Sequence, residues 1–361
     1  VSGIQPTGNL HLGNYLGAIK NWVDLQSDPE NQCLFFIADL HAITQPISAT
    51  DLRRNTLDMT AMLLACGIGD GRSTLFSQMM VPEHTELQWL LACTARMGWL
   101  NRMTQFKDKG GNDAEAAFRA GYTLGQSEAL GDPSASEAWA AYDQNRPSVG
   151  VGLFAYPILQ AADVLLYDAT HVPVGDDQDQ HLQLVRDIAG KFNTDYGVEM
   201  FTLPKAVMTG PATRVMSLKN GRRKMSKSDL DDMSRINLID TPEAIVKKFK
   251  RATTDTLMLP SEVEGLEGRP EVTNLVNIYS ALVGASVERV LKELGGQGHG
   301  VLKTRLADAC VAVLTPIAEA YRHVRADDDR LLRELEWGWE EAYQIAQPKM
   351  DDVRTTVFGY K

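Results

Sequence analysis

Ser2-Gly3-Ile4-Gln5-Pro6-Thr7-Gly8-Asn9-Leu10-His11-Leu12-Gly13-Asn14-Tyr15 is the stretch that decides the fold. A short apolar strand turns through Pro6, Gly8 and Asn9 and runs straight into an apolar-periodic segment. Leu12, Leu16, Ile19 and Val23 recur at helical spacing, with Tyr15 and Trp22 on the same side. The turn therefore hands the chain from strand to helix, with His11 and Asn14 at the helix start. Unpaired backbone N–H groups and the positive end of the helix dipole gather there, which suits phosphate. An ordinary strand–turn–helix whose His and Asn only cap it would read the same way, and the choice falls to the rest of the chain.

Downstream, Cys33 to Ala38 is continuously apolar and too short for a helix, so it reads as a buried strand. It ends in Asp39 to Thr44, polar groups placed where a parallel strand opens onto a ligand crevice. Asp51–Cys66 has a helical face stopped by Gly67–Gly71, Ser73–Gln78 reads as a third strand, and Pro82–Ala95 as another helix. This alternation predicts a doubly wound, Rossmann-like α/β domain with a parallel sheet. Asn101–Lys109 is a polar, basic connector, and Gly110–Arg146 reads as a surface insertion without chemistry. Tyr156–Tyr167 is a strongly apolar helix with Pro157 in its first turn. Val172–Val174 follows as a short strand, and Asp177–Phe192 as a helix with His181, Leu184, Val185 and Ile188 on one side. From Thr241-Pro242-Glu243 the texture changes to successive helices up to about Gln347, interrupted at Pro316. The chain thus divides into an α/β domain over 1–235 and a separate all-helical domain over 236–361, joined near Arg235–Asp240.

Composition narrows the classes. The 361 residues suggest two or three domains, and 44% apolar with 23% charged is ordinary for a globular protein. A net charge of −11 argues against a general polyanion binder while leaving room for a local basic surface. Cys33, Cys66, Cys93 and Cys310 are widely spaced, which disfavours a zinc site or a disulfide framework and predicts buried free thiols in a reducing compartment. No apolar run reaches membrane length and no signal pattern opens the chain, so a soluble cytoplasmic protein without membrane contact is expected. The chain starts at Val1 without a methionine, and residues are expected to be missing ahead of the first strand.

Two further patterns carry chemistry. Lys224, Ser226, Lys227 and Ser228 put two ammonium groups and two hydroxyls within five residues. That is either a solvated loop or a partner for a polyphosphate, along which point charges can follow moving charge. Tyr156, Gln160, Asp163 and Tyr167 fall at i, i+4, i+7 and i+11, a polar stripe on an apolar helix. A buried Asp163 requires a partner, and a protein His, Arg or backbone N–H serves as well as a ligand.

The word Lys224-Met225-Ser226-Lys227-Ser228, together with Gly8-Asn9-Leu10-His11-Leu12-Gly13-Asn14 upstream, resembles the paired signatures of class I aminoacyl-tRNA synthetases. The finer resemblance is to the bacterial-type tryptophanyl-tRNA synthetase family. It extends through Ala38–Thr44, Met103–Lys109, Gly152–Tyr167, the Val172–His181 stretch and Asn274–Tyr279. The resemblance implies activation of L-tryptophan by ATP, with Mg²⁺ carried mainly on phosphate oxygens, to tryptophanyl-adenylate. Transfer to tRNA(Trp) follows, and family members are homodimers. It also implies residue roles. His11 and Asn14 become donors to the α-phosphate, and Lys224, Lys227 and Lys109 follow the outer phosphates. Gln5, Gly13, Gly175, Gln178, Val215, Met225 and Ser226 border the nucleotide. Asp163 faces the indole N–H. Tyr156, Gln160, His41 and Gln178 hold the amino acid, against an apolar wall of Val172 and Val174. No protein metal site is implied. The helical domain takes the anticodon, with Lys247, Lys248, Lys250 and Arg251 or Arg322, His323 and Arg325 as basic clusters.

Val1 stands where many relatives have an aromatic residue and Gln160 where many have methionine. The alternatives are a tyrosyl-tRNA synthetase, which shares the fold and signatures, and a catalytically silent paralogue that binds RNA.

Overall fold

The computed structural model describes residues 1–8, 10–100, 103, 150–173, 179–207, 214–227 and 229–360. The insertion at 110–146, Lys109, Val174, Gly175, Gln178, Ser228 and Asn9 lie outside the described residues.

The expected parallel sheet forms. β1 (Ser2–Ile4) pairs with β2 (Leu34–Ile37), and β2 with β3 (Thr74–Ser77), all parallel, in the order β1-β2-β3. A second parallel pair joins β4 (His171–Pro173) to β5 (Lys205–Val207). The Val1 amino group reaches the His171 carbonyl at 3.4 Å, so β4 begins beside β1. Period-two alternation sorts the core side chains. Phe35, Ile37 and Leu75 enter one apolar cluster while Leu34, Phe36 and Phe76 enter another on the opposite face. Both faces are therefore covered, as expected for parallel strands that read as unbroken apolar runs.

Three expectations need correction. Pro157 lies in the interior of a helix that begins at Val151 and runs to Leu165, so the first turn precedes it. Pro316 does not interrupt its helix, which is continuous over His299–Arg325, and the last helix runs past Pro348 over Asp328–Phe358. A proline inside a helix costs about 3 kcal/mol. Leu314, Ile317 and Ala318 in one case, and Met350 and Val353 in the other, are buried around it and hold the helix on course.

The helical part shares its apolar core with the α/β part. Ile236, Ile245, Leu275 and Leu314 share a core with Leu12, Phe35 and Leu75, while Ala342, Met350 and Val353 join the other face. The last helix lies against β3. A Cβ on Gly338 would come within 1.9 Å of the Leu75 carbonyl oxygen, so only glycine permits this approach. Thr74 Oγ1 donates to Glu341 at 2.8 Å, and the Asp70 amide to Glu334 at 3.0 Å. A helix thus covers the outer strand of the three-stranded sheet, a common protection for an open edge. The change of texture near residue 240 marks a change of element type without a break in the core.

All four cysteines are free, but only Cys310 is buried; Cys93 is exposed. No helix among the described residues is long and apolar enough to cross a membrane.

Candidate active site

The opening turn leads into a helix start capped by its own side chains. The Asn14 amide donates to His11 Nδ1 at 3.3 Å, and the His11 amide donates to Asn14 Oδ1 at 3.1 Å. This reciprocal pair is a capping box made by His and Asn. After Asn14 the chain widens into a π-helical turn, Tyr15–Ile19, before resuming as the Lys20–Gln26 helix. Such turns recur at functional sites. Burial, reinforced by the nearby Lys227, Arg235 and Lys224 charges, lowers His11 to about 4, so its imidazole is neutral near pH 7. With Nδ1 accepting, the ring proton sits on Nε2, and with Oδ1 occupied, Asn14 keeps its Nδ2 protons for a ligand. Capping therefore decides which atoms are left to donate.

Across the cleft, the lysine-rich segment is more ordered than a solvated loop. Met216 and Lys224 form an antiparallel bridge, with the Met225 amide donating to the Val215 carbonyl at 3.1 Å. Met225 is buried and anchors the hairpin in the core. The segment beyond it is stitched to the opening turn: Leu12 N donates to Ile236 O at 2.8 Å and Leu238 N to Leu10 O at 2.9 Å. Asn274, from the Pro270–Val283 helix, grips both backbone groups of Met216, accepting at 2.8 Å and donating at 2.9 Å. Lys227 Nζ donates to the Thr7 carbonyl at 2.5 Å, and burial lowers its ammonium to about 8.

Two cavities meet in this region. A cleft of about 700 Å³ is lined by Gln5, Thr7, Gly8, His11, Asn14, Lys224, Met225, Ser226 and Lys227, donors and cations suited to a polyphosphate. A smaller cavity of about 280 Å³ is lined by Val1, Phe36, His41, Tyr156, Gln160, Asp163 and Val172, and it also includes Gln5. The cleft lies at the carboxyl end of β1, where open parallel sheets place ligands, and the smaller cavity extends from Gln5 and Ala38 back along β1 to Val1.

Asp163 has protein partners on both oxygens. His84 Nδ1 at 2.7 Å and Gln78 Nε2 at 2.6 Å contact Oδ1, and His41 Nε2 lies 2.8 Å from Oδ2. Burial pushes this carboxyl up, but the bonds from His41 and His84 outweigh it and hold the group at about 2. The protein-histidine reading of the buried Asp163 is thus realised. Tyr156 Oη lies 2.8 Å from His181 Nε2, and Tyr167 Oη lies 2.8 Å from His84 Nε2.

The sequence expectations are sorted by this geometry. His11, Asn14, Gln5, Lys224, Met225, Ser226 and Lys227 converge on the cleft; Tyr156, Gln160, Asp163, His41 and Val172 converge on the cavity. Gly13 and Val215 do not line the cleft: Val215 is packed in the core behind Gly13, where a Cβ would lie 3.4 Å from it and 3.0 Å from the His11 ring. In the basic clusters, Lys248 is buried and paired with Asp232 and Asp240, and Arg325 is paired with Asp58 and Asp328. Those two are structural. Sequence reasoning missed the roles of His84, Gln78 and Asn274; each stands among other polar residues of its element, and nothing in its spacing marks it out without contacts.

The comparisons agree with this architecture. The family described as tRNA synthetases class I (W and Y) matches residues 1–315. A tryptophan–tRNA ligase of Brucella melitensis is 47% identical, covering 99% of this chain and 96% of its own. A solved tryptophanyl-tRNA synthetase of Mycoplasma pneumoniae superposes with a TM-score of 0.80 at 30% identity, covering 100% of this chain and 97% of its own. Another, from Campylobacter jejuni and complexed with ADP and tryptophan, gives 0.73 at 32% identity, over 99% and 98%.

Proposed function

This chain belongs to the class I tRNA synthetases of the tryptophan and tyrosine group and is a tryptophan–tRNA ligase, and we propose that the two cavities meeting at Gln5 carry out its first step. The single observation behind this reading is the junction itself. A cavity of mixed polar and apolar lining that contains a carboxylate and a cleft that contains two lysines share one residue, Gln5, so an amino acid and a triphosphate would meet end to end.

Tryptophan lies in the smaller cavity with its indole N–H toward Asp163 Oδ2 and its ammonium and carboxylate end near Tyr156 and Gln160. Its carboxylate oxygen forms a bond to the α-phosphorus of ATP as the bond to the departing pyrophosphate breaks. The nucleophile is already an anion and needs no general base. Neutral His11 and Asn14 donate from Nε2 and Nδ2 to the α-phosphate oxygens. Lys227 and Lys224 follow charge onto the leaving group, with Lys109 as a third cation. Catalysis is positioning plus electrostatic stabilisation. Mg²⁺ would enter with the nucleotide and offset its phosphate charge, since His11, Asn14 and the lysines of the cleft supply no carboxylate ligands.

Transfer to a terminal ribose of tRNA(Trp) completes the reaction. Lys247, Lys250, Arg251, Arg322 and His323, all exposed, are the surface through which the helices over 236–361 approach the anticodon. A second copy covers the apolar side chains of Met79, Trp89, Met97 and Val151, each more than half exposed. The working compartment is the cytoplasm.

Lys227→Ala tests the mechanism. Single-turnover adenylate formation should fall by about a hundredfold, as for loss of one preorganised transition-state donor, with tryptophan affinity unchanged. An unchanged rate contradicts the role.

A further inference from the structure

The carboxylate in the amino acid cavity is held from behind by residues that do not line it. His84 is fully buried, and its Nδ1 contacts Asp163 Oδ1, which also accepts from Gln78. A carboxylate offers about four acceptor positions, two on each oxygen. Oδ1 has both filled, and Oδ2 has one filled by His41. One acceptor position therefore remains, on the oxygen of a residue that borders the cavity.

The protons of this cluster have fixed places. Burial pushes the Tyr167 hydroxyl well above its ordinary range, so it stays protonated and donates to His84 Nε2. His84 must then carry its proton on Nδ1 and donate it to Asp163. The rings of Phe36, Phe76 and Tyr167 stand 5.4–6.1 Å from the His84 ring and set its plane.

We propose that His84 is a specificity-setting positioning residue, which fixes the Asp163 carboxylate so that it offers a single acceptor to a donor-only N–H such as that of an indole. The proposal rests on the reading that tryptophan occupies this cavity with its N–H toward Asp163. A phenol hydroxyl both donates and accepts. The protons of His41, His84 and Gln78 all point at Asp163, so a phenol could donate to the carboxylate, but its oxygen would find no donor among them and its accepting side would be left unmatched. Leaving a substrate group unpaired in this way is a strong source of discrimination.

The titratable groups around Asp163 come from three sides. His41 lies on the Asp39–Ala42 helix, His84 on the Glu83–Thr94 helix beside buried Glu83, and Tyr167 just beyond the Val151–Leu165 helix. Tyr156 sits edge-on to the His41 ring and bonds His181 from the Asp179–Tyr196 helix. The titratable partners of Asp163 are His41 and His84, with Gln78 as a neutral third donor, so removing His84 takes away one of the two histidine bonds that outweigh burial, and Asp163 should titrate at a higher pH.

The test compares His84→Leu, His84→Asn and Tyr167→Phe with the unmodified protein in amino-acid-dependent ATP–pyrophosphate exchange, from pH 5.5 to 8. His84→Leu should raise the tryptophan KM by about tenfold, as for a lost hydrogen bond to a charged group, and leave kcat and the ATP KM within about twofold. Its kcat/KM for tryptophan should fall toward low pH where the parent is flat, and its preference over tyrosine should narrow. His84→Asn, whose amide nitrogen takes the place of Nδ1, should restore most of the KM. Tyr167→Phe should shift KM in the same direction by a smaller factor. Parent values and a flat profile in both His84→Leu and Tyr167→Phe overturn the proposal. So does an equal loss in kcat and KM that His84→Asn fails to rescue. Should His84→Leu not fold, a parent KM in Tyr167→Phe overturns it. Asp163→Asn, run in parallel, separates the two readings. A raised tryptophan KM there with none in His84→Leu refutes only the role of His84, whereas no change in Asp163→Asn refutes the indole contact itself.

Discussion

His11 caps its helix through one ring nitrogen and leaves the other free of that contact, so the two roles that sequence alone sets against each other are compatible. Read from spacing, it is either a cap or a phosphate donor; in the structure its Nδ1 caps the helix, which leaves Nε2–H to donate. The choice was not legible because a tautomer is a property of contacts. The same burial makes His11 a pH-sensitive group. Its value in the fold, about 4, lies below the ordinary 6.5, so the unfolded chain binds the proton more readily. The stability it contributes is fully present above pH 6.5 and is lost as pH falls through 4, up to about 3 kcal/mol. Urea unfolding between pH 7 and 4 should therefore show a shallower loss of stability for His11→Gln than for the parent, and equal slopes would contradict the assignment. The motif read Lys227 as a cation for phosphate, and the structure places it on the basic cleft. Its bond to the Thr7 carbonyl, which ties loop to turn, was not legible.

At the scale of elements, the strands and most helices could be read from periodicity, and the errors have physical causes. Pro157 and Pro316 read as a first turn and an interruption because their local cost is known, whereas the burial that offsets it depends on the partner surface. β5 is three residues long and carries no periodic signal of its own. The lysine-rich loop could be read as solvated or as a partner for a polyphosphate, because only its polar tip has a pattern. Its base is a hairpin clamped by Asn274 from a helix 58 residues downstream. That clamp gives a prediction. Asn274→Ala leaves the Met216 amide and carbonyl unpaired in a partly buried site, which costs about 1–3 kcal/mol and loosens the strand opposite Lys224. The turnover number for pyrophosphate exchange should fall by about tenfold, with the tryptophan KM near the parent value. An unchanged turnover number would show that the hairpin holds its geometry without the clamp.

At the scale of the whole molecule, the α/β class, the helical C-terminal part and the pairing of the two signatures were all legible. The continuity of the core across residue 240 was not, because a boundary in texture says nothing about which apolar faces meet. The last helix packs on β3, and at Gly338 its backbone comes so close to Leu75 that a Cβ would clash with the carbonyl. Gly338→Ala should lower stability by at least about 1–3 kcal/mol, the usual range for overpacking, read as a lower denaturant midpoint. A midpoint at or above that of the parent would contradict the packing. The two cavities depend on this assembly, since β1 and β2 deliver Gln5, His41 and the opening turn to one place while the helices from residue 236 onward hold the lysine hairpin over it. The central claim, that this junction joins tryptophan to ATP, is tested most directly by ATP–pyrophosphate exchange with tryptophan and tyrosine in parallel. Rapid exchange dependent on tryptophan, with tyrosine slower by orders of magnitude, is the predicted result; equal rates, or a preference for tyrosine, would contradict it.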